Sequence, residues 1–200
     1  MAQTAETRVR MAPEARKTLI RTVAREVFAE RGYAATGLAE IAERGQVSKT
    51  LLYHYFPDGR PELLVAVMDD VLTELMAETR AALAVPFGVN RKIEGLVDTF
   101  MSFLERNPDA FRLLFREPWG SGEPRIIRRA VEAQVQLATE LISPLASSGA
   151  PGPVLLAATS GTVGLLLATA ELLLAGQVDR EVTVATASRY IIGGLAQLGS

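Results

Sequence analysis

Apolar residues recur along this chain at intervals of three and four almost from end to end, which predicts helices separated by short breaks. Ile20, Val23, Ala24, Val27 and Phe28 form a first stripe, opened by Pro13, which suits the first turn of a helix, and ended at Gly32. Leu38, Ile41 and Ala42 fall at i, i+3 and i+4 and predict a short second helix, with Thr36 able to serve as its N-cap. Residues 43–47 break the pattern, and Gly45 can take the positive φ a tight turn often needs. Ser48 is a second N-cap candidate, starting a helix whose Val47, Leu52 and Phe56 can pack inward. Pro57-Asp58-Gly59-Arg60-Pro61 is a cluster of turn formers, with Pro61 placed to start a further helix. From Glu62 to about Ala84, Leu64, Val67, Met68, Val71, Leu72 and Leu75 share one side, and Asp69, Asp70, Glu74 and Glu78 lie mostly on the other.

Val85-Pro86-Phe87-Gly88 interrupts the pattern before a helix from about Arg91 to Glu105, and a short helix follows Asn107-Pro108 through Phe111, Leu114 and Phe115. Pro118-Trp119-Gly120-Ser121-Gly122 reads as a loop, and helices follow over about Glu123 to Ser143, Val154 to Ala175 and Arg180 to Leu198. No stretch alternates as a strand does, and no internal repeat or low-complexity tract is present, so the predicted fold is all-α. Residues 1–12 are polar without periodicity and read as a mobile tail, in which Arg8 and Arg10 are either disordered or in reach of DNA.

The outward positions of the helix begun by Ser48 give the first functional signal. Lys49, Thr50, Tyr53 and His54 supply a cation, hydroxyls and an imidazole without a carboxylate, a surface suited to phosphates and base edges. From spacing alone it could equally be an ordinary surface helix in a bundle. Over the first sixty or so residues, however, Ile20, Ala24, Phe28, Gly32, Tyr33, Thr36, Ile41, Ala42, Val47, Ser48, Leu52, Tyr53 and Phe56 resemble the N-terminal pattern of the TetR family of transcriptional repressors. The resemblance implies a three-helix DNA-binding domain with a helix-turn-helix at residues 1–60, and a helical effector-binding and dimerisation domain at residues 61–200. It places Lys49, Thr50 and Leu51 at base edges and Tyr53, His54 and Tyr55 near phosphates, with Ser48 at the head of the recognition helix. Thr36 at a helix N-terminus would suit a phosphate, and Arg60 lies near the family's basic residue at the start of the fourth helix. Three positions depart from the family pattern. Its usual Ala-Gly turn is Gly45-Gln46 here, implying either a shifted turn or a strained Gln46. Gly37 replaces a common Ser or Thr, and the segment between Phe56 and Leu63 is one residue longer.

Charge changes the picture only when divided. The whole chain carries −2, but residues 1–60 hold ten Lys/Arg against seven Asp/Glu, a net of +3, while residues 61–200 hold eleven against sixteen, a net of −5. The basic excess sits with the candidate reading helix. With no cysteine there is no thiolate metal site or cysteine nucleophile, and His54, the single histidine, has no carboxylate pair at metal-ligand spacing. No nucleophile elbow, Walker loop or dinucleotide fingerprint is present, so no catalytic residue, metal or cofactor is expected. The first ten residues lack the apolar run of a signal peptide, which gives a cytoplasmic expectation.

Val154 to Ala175 holds twenty-two residues with only Glu171 charged, enough to be mistaken for a membrane span. Thr159, Ser160, Thr162 and Thr169, the absence of a flanking cationic cluster and a second apolar helix close behind favour a soluble bundle instead. The predicted homodimer interface comprises Ala157, Gly161, Gly164, Leu165, Ala168 and Leu172, with Ile191 and Leu195 from the last helix. Met68, Leu72, Met76, Phe100, Phe103, Leu104, Phe111, Phe115 and Trp119 offer flexible and aromatic side chains that are either core or the lining of an apolar effector pocket. Arg112 and Arg116 share a face and either receive an anion or are solvated. The expected protein is a dimeric repressor released from double-stranded operator DNA by a small apolar effector. The alternative is a helical-bundle ligand-binding protein or enzyme with a non-functional reading head.

Overall fold

The computed structural model describes residues 11–142 and 152–197, and the expected tail with Arg8 and Arg10 lies outside them apart from Met11 and Ala12. The chain divides into two compact units, residues 1–67 and 68–200. Among the described residues all regular structure is helical, as the hydrophobic periodicity predicts.

The first unit contains α1 (Pro13–Ala35), α2 (Leu38–Arg44), α3 (Lys49–Tyr55) and the opening turns of α4 (Arg60–Leu83). In α1, Ile20, Ala24, Val27 and Phe28 are fully buried. Its helical path kinks at Gly32, with φ of 76°, at the predicted stop. The Thr36 side chain then donates back to the Gly32 carbonyl at 2.7 Å. Thr36 is therefore not the N-cap of α2. That position belongs to Gly37, which supplies no capping side chain. Packing of α2 on α1 and of α3 on α2 closes the unit around Ile41, Leu52 and Phe56.

The second unit contains the rest of α4 and α5 (Val89–Arg106), then an almost continuous path of α6 (Pro108–Phe111), a π-helical turn (Arg112–Arg116) and α7 (Glu117–Gly120). α8 (Pro124–Ile142), α9 (Gly152–Leu174) and α10 (Arg180–Ala196) complete it. The predicted loop at Pro118 is thus helical as far as Gly120, because Pro118 sits in the first turn of α7, where its missing N–H costs nothing. α10 packs chiefly against α5 and α9, and α8 against α9. Asp179 caps α10 by accepting from the Val182 N–H at 2.8 Å. Ion pairs join α4 to its neighbours: Asp69 with Arg129 of α8, and Glu78 with Arg106 of α5.

Candidate nucleic-acid interface

The candidate reading head is built from two short helices that could not persist alone, since each is only seven residues long. Burial fixes α3: Leu52 is 0% and Phe56 1% exposed, one on each inward turn. Ser48 caps it, its Oγ accepting from the Leu51 N–H at 3.1 Å, as the sequence predicts. The opposite face is left to solvent. Lys49, Thr50, Tyr53 and His54 are exposed, Leu51 and Tyr55 are half-buried, and the His54 and Tyr55 rings meet edge to face at 5.2 Å. The face contains donors and a cation and no carboxylate, so it can approach a polyanion without repulsion.

The turn between α2 and α3 corrects one expectation. Gly45 adopts an ordinary right-handed conformation, φ −77°, and the positive φ, 50°, falls on Gln46. A tight backbone path demands this. Gly45 N–H reaches the Ile41 carbonyl at 2.9 Å, Gln46 N–H the Glu43 carbonyl at 3.0 Å and Val47 N–H the Ala42 carbonyl at 2.9 Å. Left-handed geometry costs a side-chain-bearing residue about 1 kcal/mol. Gln46→Gly is therefore expected to raise the stability of the protein by up to about 1 kcal/mol, less the extra chain entropy of glycine. Urea unfolding monitored by circular dichroism checks it, and a loss of stability would show that the Gln46 side chain compensates its own strain.

Two of the predicted DNA-contacting residues have other occupations. Thr36 is 1% exposed and its hydroxyl is committed to Gly32, so that hydroxyl faces the domain interior. Arg60 is half-buried: its Nη1 donates to the Thr36 carbonyl at 3.0 Å and the Ala34 carbonyl at 3.4 Å, and its guanidinium lies 4.2 Å from the centre of the Tyr33 ring. It latches the start of α4 onto the end of α1. The extended Phe56 to Leu63 segment makes room for this through Gly59, at φ 72°, where a Cβ would come within 3.5 Å of both Leu38 and Tyr53. Nearby, Arg44 pairs with Glu30 at 2.7 Å and Glu40 at 3.1 Å. The Glu30 hydrogen bond is foremost in holding that exposed guanidinium above its ordinary pKa range.

In the second unit, eight of the nine pocket candidates are side chains of the packed interior. Met68, Leu72, Met76, Phe100, Phe103, Leu104, Phe111 and Phe115 are all 6% exposed or less, whereas Trp119 is 52% exposed and lies outside that cluster. The larger described clefts lie toward the surface. One of about 690 Å³ is bordered by Glu94, Asp98, Arg180 and Arg189, and one of about 610 Å³ lies beside the π-helical turn. Arg112 and Arg116, placed on one face by their spacing, both line the second cleft, and what the sequence does not signal is the π-helical turn that carries them.

Of the interface candidates, Ala157, Gly161, Gly164, Ala168 and Leu172 are exposed and recur at three- and four-residue steps along one side of α9. Val163, Leu166, Ala170 and Leu173 occupy the other side and are buried. Leu165 and Leu195 are half-buried, but Ile191 is only 7% exposed: it faces inward, against expectation, and contributes to the core of its own unit. α9 is the one described helix long and apolar enough to cross a membrane, and 24% of its most apolar window is buried within the chain.

Residues 20–67 match the family model for bacterial regulatory proteins of the TetR family. Over 131 residues, 66% of this chain, the sequence is 34% identical to the HTH-type transcriptional activator FasR of Mycolicibacterium smegmatis, and the match spans 57% of that protein's length. Among solved structures, a transcriptional regulator from Pseudomonas aeruginosa PAO1 aligns over 95% of both chains with a TM-score of 0.77 at 19% identity. The regulator FadR of Bacillus subtilis, solved with stearoyl-CoA, aligns over 88% of this chain and 98% of its own with a TM-score of 0.74 at 16% identity. These two likenesses share the all-helical fold.

Proposed function

We propose that this chain, whose residues 20–67 match the model of the TetR family of bacterial regulatory proteins, is a sequence-specific DNA-binding transcriptional regulator acting as a homodimer. The observation that carries the reading is the capped helix α3, anchored by Leu52 and Phe56 and presenting Lys49, Thr50, Tyr53 and His54 outward with no carboxylate among them. Two such helices, one from each protomer, would enter successive major grooves of an inverted repeat. The exposed small-residue side of α9 gives the partner a surface for close helix approach, and its burial by a second copy accounts for so apolar a helix better than a lipid contact does.

The regulator is a repressor released by a small, largely apolar effector. The stearoyl-CoA bound by FadR, whose fold this chain shares, supports that effector chemistry. A 100-fold weakening of DNA binding requires about 2.7 kcal/mol of coupling, and operator DNA must then weaken effector binding by the same factor. The activator name of the M. smegmatis relative supports a second reading in which the same DNA-bound dimer stimulates transcription. Transcription in vitro from a template carrying the selected site decides between them by its sign.

The test begins with selection of bound duplexes from a random library at about 0.15 M salt, followed by anisotropy titration. An inverted repeat bound about 10³-fold or more tightly than scrambled DNA supports the reading, and failure to enrich any sequence rejects it. On the selected site, Lys49→Ala is expected to change preference at one or two base pairs by about 1–3 kcal/mol. Tyr53→Phe should weaken binding evenly across operator variants, because a phosphate contact positions without specifying. A preference shift from Tyr53→Phe would instead assign that hydroxyl to a base.

A further inference from the structure

We propose that the cleft at the π-helical turn receives the anionic head group, carboxylate or phosphate, of an amphiphilic effector, with Arg112 and Arg116 as its ligands. The proposal rests on the reading of this chain as ligand-responsive and names the chemical class of the ligand. The cleft is about 610 Å³, within the range of roughly 300–1,000 Å³ typical of small-molecule sites. Phe111 and Leu174 give it apolar walls, and Arg112, Arg116, Glu117 and Glu171 its polar ones. Phe111 continues inward: its ring centre is 5.7 Å from that of Phe115, which lies 6.4 Å from Phe100. Two arginines, each now paired with a carboxylate, therefore stand at the edge of an aromatic cluster, so an anion that takes the place of those carboxylates would set its head group on guanidinium and its apolar part against Phe111.

Both arginines already hold carboxylates, and the partner of Arg116 is the more readily replaced. Arg112 Nε donates to Glu117 at 2.7 Å, and Arg116 donates from both Nε and Nη2 to a single oxygen of Glu171, at 3.1 and 2.9 Å. The Arg116–Glu171 pair is half-exposed on both sides, where water and salt leave ion pairs little net strength. A ligand carboxylate or phosphate can meet a planar guanidinium in bidentate fashion, which one carboxylate oxygen does not. The Arg116 guanidinium also lies 5.6 Å from the centre of the Phe111 ring, which holds it against the apolar wall. Glu171 belongs to α9, so a ligand that displaces it breaks the Arg116 tie between the π turn and the helix proposed to carry the partner protomer. Head-group binding and the dimer surface are thereby linked through one carboxylate.

Trp119, the only tryptophan of the chain, is exposed three residues beyond Arg116 and provides an intrinsic reporter. Its fluorescence is titrated with dodecanoate, dodecyl phosphate and 1-dodecanol, each as monomers, and dissociation constants are confirmed by equilibrium dialysis. At least one anion is expected to bind tenfold or more tightly than the alcohol, and the tighter of the two identifies the head group. In Arg112→Gln/Arg116→Gln that preference is expected to fall below about threefold with alcohol binding unchanged. In Glu171→Gln it should rise about threefold, an outcome that loss of folding cannot imitate. Equal affinity for alcohol and anions, absence of anion binding, or a preference that survives in the double variant overturns the proposal. DNA binding is read separately on the selected duplex. Operator binding without head-group preference sinks this inference alone, and head-group preference without operator binding sinks the regulator reading alone.

Discussion

Ala168→Glu is expected to change the sedimenting species from twice the chain mass to the 21.5 kDa of a single chain. Ala168 lies mid-way along the exposed side of α9, one helical turn from both Gly164 and Leu172. A two-fold axis in that region would bring the new carboxylate close to its symmetry mate and to Glu171, and desolvating like charges in an apolar contact is unfavourable. Loss of the partner removes the second reading head, so affinity for an inverted repeat should fall by about 10²–10⁴-fold. Leu166→Glu is the informative control. Leu166 is 1% exposed within its own chain, so a charge there is expected to disrupt the folded unit itself, seen as lost helicity. Ala168→Glu that remains dimeric and helical would move the interface off this face.

Arg60→Met is expected to lower stability by about 2–3 kcal/mol. The substitution keeps much of the aliphatic stem but removes hydrogen bonds from a charged donor to the Thr36 and Ala34 carbonyls, at about 1.5–3 kcal/mol for such interactions. It also removes the guanidinium above Tyr33, worth about 0.5–1 kcal/mol where partly exposed. Thermal melting by circular dichroism measures the loss. The slope of log affinity against log salt, measured on operator DNA well below the melting temperature, separates the two assignments of this residue. A latch leaves the slope unchanged, whereas a phosphate contact reduces its magnitude by about one unit.

Helix identities were legible because apolar side chains at three- and four-residue spacing have few other ways to be buried together. Ile20 through Phe28 and Leu52 with Phe56 turned inward as their spacing requires. Ser48 was legible as a cap because its hydroxyl competes for local backbone donors. What escaped the sequence were features set by backbone closure. Which turn residue is left-handed stayed open in the sequence between Gly45 and a strained Gln46, and the bonds to Ile41, Glu43 and Ala42 settle it on Gln46 by fixing the path before side-chain preference acts. The Thr36 hydroxyl turned back to Gly32 because the kink there leaves a carbonyl within reach, and Arg60 found carbonyls and a ring that only the folded chain assembles. Ile191 shows the limit of periodicity in another way. α10 is apolar or small on several sides, so its pattern alone does not tell a face packed on its own chain from one left for a partner. The shared side of Arg112 and Arg116 was legible from their spacing, whereas the π turn that carries them, and Glu117 and Glu171 as their partners, were not.

Dimerisation through the uncovered side of α9, as proposed, would also tie the amount of this protein to its durability. If that face is closed only by a second copy, each association adds stability that the isolated chain lacks, and the melting temperature rises with concentration. A regulator present at few copies per cell would then be lost disproportionately when its synthesis slows. Newly made single chains would expose the apolar face and be degraded first, while assembled pairs persist. The proposed control of target genes would thus fall away more steeply than the protein's own dilution.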